Sequence, residues 1–208
     1  ADGLPRWRWA HSNDEIDFRA LAGKRVVVVG AGASAMDNAA EALEHGAAEV
    51  RLLIRRKQMP RINKLMGIGS AGFTAGFPLL SEEWRWRFMH YALTQQTPAP
   101  RNSTQRVSRH PNAFFHLGCA VLDAKEAGDA LQVSTSAGPI ELDFLILATG
   151  FAVDWSQRPM LRHIAPYVRR WDERFTPPAG MENEELSASP DLGPDFEFRP
   201  AMPGAPAG

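Results

Sequence analysis

The sequence predicts an α/β protein with a parallel sheet, and three features near its start lead to that prediction. Four valines at 26–29 are followed at once by the small-residue turn Gly30–Ala35. From Met36 onwards, apolar residues recur at the spacing of a helix, and a second apolar run begins at Val50. A β-branched run, a helix and a second apolar run at these spacings are typical of a β-α-β unit in a buried parallel sheet.

Composition excludes several classes of protein. The chain has 208 residues, 44% hydrophobic and 23% charged, which is typical of a globular protein with a substantial core. Its net charge of −1 argues against a nucleic-acid partner, and no apolar run approaches the ~20 residues that crossing a bilayer requires. The single cysteine, Cys119, excludes an internal disulfide and a redox pair. We therefore expect a cytoplasmic protein with no nucleic-acid and no membrane partner.

The first half of the chain divides into three parts. Residues 1–23 predict a lead-in without regular structure of its own, and a nucleotide-binding domain over 24–151 follows. Its β-α-β unit is expected to comprise strands at 26–29 and 50–54 and a helix whose buried face runs from Met36 to Leu43. The stretch 58–111 is expected to be a helical and loop insertion. Within it, glycines 67–76 predict a loop, and Ser81 followed by two glutamates predicts the start of a helix.

The second half predicts strands and then a weakly structured tail. A strand is expected at 113–117, a β-meander over 120–142 and another buried strand at 144–148. Between 177 and 208, eleven of 32 residues are Gly or Pro, and six acids accompany one base. Such a segment is typical of a disordered linker, or of one that folds only against another surface.

The turn Gly30-x-Gly32-x-x-Ala35 matches the fingerprint of a dinucleotide-binding site, in the strand–turn–helix context that makes it informative. Gly30 allows the tight turn, Gly32 lets the backbone approach a pyrophosphate, and Ala35 allows the helix to pack closely on the strand. The amides of Ser34 and Ala35 begin a helix whose dipole favours an anion. The fold predicted for 24–151 is therefore Rossmann-like.

Basic residues at the end of the second strand predict which dinucleotide binds. An NAD or FAD site places an acidic residue there, whereas this chain has Arg55 and Arg56, with Lys57 after them. A guanidinium binds a 2′-phosphate in bidentate fashion, and a carboxylate would repel it. The expected cofactor is NADP(H). Thr149 and Gly150, which follow the last strand, are expected at the same ligand-binding edge of the sheet.

Other candidates carry less chemistry. His110 and His116 lack the spacing of a metal-ligand pair, so no metal site is predicted. The aromatic residues Trp84, Trp86, Phe88 and Tyr91 are predicted to form a packed aromatic face of one helix, the alternative being a wall of a substrate site. Ser34 is expected either to start its helix or to bind a phosphate. No residue has the setting of a catalytic acid, base or nucleophile.

The segments 24–35, Arg55-Arg56 and Asp143-x-x-x-Leu147-Ala-Thr-Gly-Phe151 together resemble the NADPH-binding half of flavin-dependent monooxygenases. The resemblance covers roughly residues 8–200 and extends to bacterial FAD/NAD(P)-dependent oxidoreductases of the same superfamily. It implies that NADPH reduces FAD, and that reduced flavin activates oxygen for insertion into a small-molecule substrate. In that family an FAD domain with its own fingerprint precedes the NADPH domain.

The resemblance also sets expectations for this chain on its own. The fingerprint at Gly30 is the one that the sequence contains, so the FAD fingerprint is missing from it. We expect 1–23 and 152–208 to be partial segments of the FAD domain, whose place a second copy of the chain could take. The chain alone is expected to be inactive. The alternative is a stand-alone, non-catalytic NADP(H)-binding or redox-sensing module.

Overall fold

The structure is a computed structural model, and it describes residues 3–95, 97–151, 155 and 158–201. Predictions that concern residues 1–2, 152–154 and 202–208 lie outside this described part. Contacts divide the chain into two compact units, one of Ala1–Asn63 with Thr97–Gly150 and the other of Lys64–Gln96 with Phe151–Gly208. Each unit is described by itself.

The first unit contains a five-stranded parallel sheet and a three-stranded antiparallel sheet, which confirms the predicted fold class. The parallel sheet has the order β1-β8-β2-β3-β4, with bounds Trp9–His11, Phe144–Leu147, Arg25–Val29, Glu49–Ile54 and Ala113–Leu117. The antiparallel sheet has the order β5-β6-β7, with bounds Val121–Ala127, Ala130–Thr135 and Gly138–Leu142. Two helices accompany them, α1 at Ala33–Glu44 and α4 at Arg101–Ser108.

The parallel sheet is covered on both faces, as its valine-rich centre requires. Val26 and Val28 face the helices and pack with the buried side of α1, including Met36 and Ala39. Val27 faces the other way and packs with the antiparallel strands, whose buried residues include Leu131. Alternate residues of one strand point to opposite faces, so a run of valines fills two cores at once.

Strand β1 lies in the segment expected to be a lead-in without regular structure. Trp9–His11 pairs in parallel with Leu145–Leu147 at one edge of the sheet. Three residues are too few to show the alternation by which a strand is recognised in a sequence, so only the long-range pairing with β8 reveals it.

Helix α4 is also absent from the sequence-based prediction, because its residues are mostly polar. Its single large apolar residue, Val107, is fully buried beside α1. Arg106 donates to Glu41 and Glu44 of α1 with N–O distances of 2.6 and 2.5 Å. Hydrogen bonds to Arg106 lower the pKa of the Glu44 carboxyl. Salt bridges across two helices therefore hold in place a helix that has little apolar surface to bury.

The second unit is built from short helices and extended segments. Its helices are α2 at Ala71–Gly76, α3 at Glu82–Thr94 and α5 at Glu184–Ser187. Its described residues also include 3-10 turns at Phe77–Leu79, Ala165–Tyr167 and Trp171–Glu173. The start of α3 agrees with the sequence, since the Ser81 hydroxyl accepts from the Trp84 amide. The predicted loop over glycines 67–76 is wrong at its end, where Ser70 caps α2.

The prediction of a packed aromatic face on α3 is correct for Trp86 and wrong for the other three aromatic residues. Trp84, Phe88 and Tyr91 are 56%, 37% and 44% exposed, and Trp86 is the fully buried aromatic residue of that helix. The Trp86 indole donates to the Met181 carbonyl at 2.9 Å. Which side of α3 is buried therefore depends on contact with a segment about ninety residues later in the chain. Helical spacing alone does not reveal that contact.

The described part of the tail folds against its own chain. Leu186 is buried, and isolated antiparallel bridges join Arg170 to Pro190 and Leu192 to Phe198. Arg169 Nη2 and Asp191 form a salt bridge of 2.6 Å, in which the carboxylate is almost fully buried. Of the two alternatives predicted for the tail, the structure shows a segment that folds on a surface, and α3 provides it.

Among the described residues no helix has the length and apolar character needed to cross a membrane. Within the same ranges, no three metal-ligating side chains gather at one point.

Candidate functional site

The carboxyl ends of the parallel strands form one edge of the sheet, and backbone hydrogen bonds tie the following segments together there. The Gly30 amide donates to the Leu53 carbonyl at 3.1 Å, and the Ala148 amide donates to that of Val29 at 2.9 Å. The Gly118 amide donates to the Arg56 carbonyl at 2.6 Å. The carboxyl ends of four strands, β2, β3, β4 and β8, therefore lie side by side at this edge. Ligands bind at this edge in open α/β sheets.

The first glycine of the fingerprint is required by a close approach of two backbones. Gly30 has φ of 144°, and a Cβ there would overlap the carbonyl oxygen of Ala148. Ala148 directly follows β8, so the turn after β2 lies against the end of the neighbouring strand. The structure therefore explains Gly30 by packing between β2 and β8 as well as by the tight turn.

The other fingerprint residues lie at the start of α1. Gly32 is the residue before the helix, with φ of −84°, and a Cβ there would enter open space. Ala35 is fully buried against the sheet, as close helix–strand packing requires. Ser34 is half-buried, lies inside the helix and does not cap it, so the expectation that it starts the helix is wrong.

The two arginines lie where β3 ends. Arg55 is exposed and Arg56 half-buried, and among the described residues neither forms a salt bridge with a carboxylate. Burial and, secondly, the neighbouring charge of Arg55 lower the pKa of the Arg56 guanidinium. Two adjacent cations without a counter-charge would be stabilised by an anion at this position.

The residues after β8 lie at the same edge. Thr149 and Gly150 are exposed, and Gly150 has φ of 98°. The ring nitrogen Nε2 of His11, the last residue of β1, lies 3.0 Å from the Gly150 carbonyl oxygen. The motif that ends in Gly150 is therefore attached to strand β1 as well as to β8.

A salt bridge joins two strands at the opposite end of the sheet, where β2 and β8 begin. The Arg25 guanidinium donates to Asp143 at 2.6 and 3.2 Å and to Glu141 at 2.7 Å, and the Arg25 amide donates a third bond to Asp143 at 2.8 Å. Hydrogen bonds from Arg25 hold the pKa of the Asp143 carboxyl below its ordinary value, and the pKa of Arg25 is raised in turn. The first residue of β2 and the residue before β8 are thereby held together.

These features fit a dinucleotide phosphate site. The open space at Gly32, the free amides that begin α1 and the paired cations at the end of β3 suit a pyrophosphate and a further phosphate. No described side chain other than those of its chain neighbours lies within 4 Å of a Cβ built at Gly32.

Similarity to a known flavoprotein extends over nearly the whole chain. No protein-family model matches the chain. Over 200 residues it is 37% identical to an FAD-dependent urate hydroxylase of Xanthomonas campestris pv. campestris, an alignment that covers 96% of the chain and 42% of that protein. The chain is similar in sequence to an FAD-dependent hydroxylase. It spans less than half of the length of this curated relative.

Solved structures show the same fold. The L-lysine 6-monooxygenase of Pseudomonas syringae has a TM-score of 0.63 at 15% identity, over 96% of this chain and 50% of that one. The ornithine N-hydroxylase of Kutzneria sp. 744 has a TM-score of 0.63 at 16% identity, over 95% and 50% respectively. The fold resembles half of a flavin monooxygenase, as the sequence motifs predicted.

Sequence reasoning missed one residue of this edge. The sequence does not place His11 at the site, because β1 is too short to be recognised as a strand. Its position depends on pairing with residues more than 130 positions away, and no local pattern reports such a pairing.

Proposed function

We propose that this chain is the NADPH-binding part of a flavin-dependent oxidoreductase of the monooxygenase type. One observation carries the proposal. A glycine-rich turn that is open to a ligand lies at the carboxyl edge of a parallel sheet, as do two arginines that form no salt bridge with a described carboxylate, in a chain similar to an FAD-dependent hydroxylase.

The roles proposed for the site residues follow from their positions. The amides of Gly32, Ser34 and Ala35 would donate to the pyrophosphate of NADP(H), with the dipole of α1 behind them. Arg55 and Arg56 would bind the 2′-phosphate, since their planar donors match its oxygens. These residues bind and orient, and none is proposed as a catalytic acid, base or nucleophile.

The segments at Thr149 and Gly150 would border the nicotinamide half of the nucleotide. Gly30 keeps the neighbouring backbones close and would thereby shape the turn that holds the pyrophosphate. When bound, NADPH supplies a hydride, which in the parent enzyme would reduce FAD.

The organisation of the parent protein is part of the same proposal. The unit that holds both sheets, strand β1 included, would form the NADP(H) domain, and 152–208 would belong to an FAD domain in the part of the relative's length that this chain does not match. The relatives' names include urate, lysine and ornithine, so we propose a small-molecule substrate. The cytoplasm, where a free thiol such as Cys119 persists, is the proposed location.

Titration calorimetry of the 208-residue chain with NADP⁺ and NAD⁺ tests the proposal. NADP⁺ should bind at least about tenfold more tightly, which corresponds to about 1.4 kcal/mol. The double variant Arg55→Met/Arg56→Met should lose this preference, because the 2′-phosphate would have no cation. Arg19→Met, which removes an exposed arginine elsewhere in the same unit, serves as the matched control. Equal affinities for the two nucleotides in the unmodified chain would refute the role of the arginines.

A further inference from the structure

The turn that follows β4 is bonded to the backbone of the two candidate phosphate-binding arginines. The Gly118 amide donates to the Arg56 carbonyl at 2.6 Å, and the Cys119 amide donates to the Ile54 carbonyl at 3.0 Å. These two acceptors lie on either side of Arg55 in the chain. Two consecutive amides of one turn therefore hold the backbone of residues 54–56, where β3 ends.

This pair of hydrogen bonds depends on an unusual backbone at Gly118. Its φ is 69°, in the left-handed region that favours glycine. A Cβ built there would have Lys57 Cγ as its nearest contact, at 3.7 Å, which is an ordinary van der Waals distance. The position therefore has room for a side chain, and its backbone conformation is what restricts it.

The other side of the turn is anchored to the core and to the antiparallel sheet. Cys119 is 2% exposed and belongs to the same buried cluster as Leu53. The Ser136 hydroxyl, in the turn between β6 and β7, donates to the Gly118 carbonyl at 3.2 Å and accepts from the Ala120 amide at 3.0 Å. Residues 118–120 thus connect the antiparallel sheet with the end of β3.

The arginine side chains have no carboxylate to orient them. Arg55 is exposed and Arg56 half-buried, and neither pairs with an acidic side chain among the described residues. A guanidinium binds a phosphate well when its planar donors are held at the right distance and angle. Since no ion pair sets that position, the backbone from which the two side chains extend determines where they reach.

We propose that Gly118 is a positioning residue that determines nucleotide specificity. The turn at 118–120 would hold the backbone of Arg55 and Arg56 where their guanidinium groups reach a 2′-phosphate, and it would thereby set the preference for NADP(H) over NAD(H). This inference rests on the function proposed above and adds a residue that acts through the arginines. Distortion of the turn should weaken the binding of NADP⁺ and leave that of NAD⁺ nearly unchanged.

Two substitutions of Gly118 test the proposal by calorimetric titration with NADP⁺ and NAD⁺. Valine is β-branched and rarely adopts positive φ, so Gly118→Val should displace the turn and lower the NADP⁺ preference at least about fivefold. Asparagine tolerates the left-handed region, so Gly118→Asn should keep the preference within about twofold of the unmodified chain. A role in stability alone would not change the ratio of the two affinities.

Gly128→Val is the matched control. Gly128 has φ of 63° in the turn between β5 and β6, and a Cβ there would enter open space. The same substitution at nearly the same backbone conformation should strain that turn without moving the arginines. The NADP⁺ preference of this variant should stay within about twofold of the unmodified value.

A second route to the same turn covers the case in which Gly118→Val does not fold. Ser136 is exposed, so Ser136→Ala removes the hydroxyl that holds residues 118 and 120 at little risk to the core. It should lower the NADP⁺ preference at least about threefold. Ser134→Ala, on β6, removes a hydroxyl without a described hydrogen bond to the turn and should leave the preference unchanged.

A double-mutant cycle shows whether the turn acts through the arginines. In the Arg55→Met/Arg56→Met background, Gly118→Val should cause no further change in the ratio of affinities. Circular dichroism and thermal midpoints establish which variants are folded.

The possible outcomes separate this inference from the function on which it rests. If the unmodified chain prefers NADP⁺ and the folded Gly118→Val and Ser136→Ala variants keep that preference, the role of the turn is refuted and that of the arginines stands. An equal loss in Gly128→Val, or a further loss in the background without the arginines, would also overturn the proposal. Equal affinity of the unmodified chain for both nucleotides would refute the role of the arginines and, with it, that of Gly118.

Discussion

Single residues decide the geometry of the candidate nucleotide site. Gly30 and Gly32 belong to one fingerprint, but the structure gives them different tasks. Gly30 is confined by the Ala148 carbonyl, whereas Gly32 borders open space. One glycine therefore serves the fold, and the other would serve the ligand.

Substitution separates these two tasks. Gly30→Ala should destabilise the chain by about 1–3 kcal/mol, because its Cβ would displace backbone at the end of β8. Gly32→Ala should leave the unfolding midpoint in urea nearly unchanged while weakening NADP⁺ binding, since its Cβ would occupy the space proposed for the pyrophosphate. Tight nucleotide binding by Gly32→Ala would show that the pyrophosphate lies elsewhere.

Asp143 should contribute to stability in a pH-dependent way. Arg25 lowers the pKa of the folded carboxyl, so its stabilisation is complete above the unfolded value of about 3.9 and is lost as pH falls through the lower, folded pKa. Asp143→Asn should be less stable at neutral pH, by about 1–3 kcal/mol, and should lack this acid-side loss.

Urea unfolding between neutral pH and pH ~3 measures this effect. The matched control is Asp123→Asn, which removes an exposed carboxylate from β5. If the unfolding free energies of Asp143→Asn and of the unmodified chain fall equally with decreasing pH, the ion pair of Asp143 with Arg25 does not cause the acid-side loss.

At the scale of elements, the sequence predicted what local periodicity determines. The strands Arg25–Val29 and Glu49–Ile54, helix α1 and the meander agree with prediction, because each carries its own apolar pattern. Strand β1 and helix α4 do not. The first has only three residues, and the second depends on salt bridges to α1, so distant partners determine both.

Helix α3 offers a direct test of which face is buried. Trp86→Ala should cost about 3–5 kcal/mol, because it leaves a cavity and removes the donor to the Met181 carbonyl. Trp84→Ala, two positions earlier on the exposed face, should change stability by less than about 0.5 kcal/mol. Thermal unfolding of the two variants measures the difference. Similar losses of stability in both variants would show that the buried face of α3 is not the one that carries Trp86.

For the molecule as a whole, the sequence predicts the dinucleotide site in more detail than it predicts the structure of the second unit. The fingerprint and the two arginines are local signals, and the structure brings them to one edge of the sheet. The second unit packs α3 against residues about ninety positions later, so its packing could not be found before the fold was known.

The 208-residue chain should bind NADPH. It should not raise the rate of NADPH oxidation above the rate that free FAD gives alone. Its sequence has one fingerprint, and hydride transfer is fast only when the acceptor is held next to the nicotinamide. Nicotinamide absorbance followed with and without added FAD measures this rate, and the Arg55→Met/Arg56→Met variant is the control for nucleotide binding. Rapid oxidation, or flavin that remains bound through purification, would contradict the assignment of the FAD site to another part of the parent protein.

The central position of β2 also has a consequence for synthesis on the ribosome. Its partner β3 emerges soon after it, but Asp143, which Arg25 contacts just before β8, lies 118 residues later. At about 5–20 residues per second, one edge of a valine-rich strand stays unpaired for about 6–24 seconds. During that interval the nascent chain offers an unpaired apolar edge to other chains, and products that end before Phe144 would be prone to aggregate.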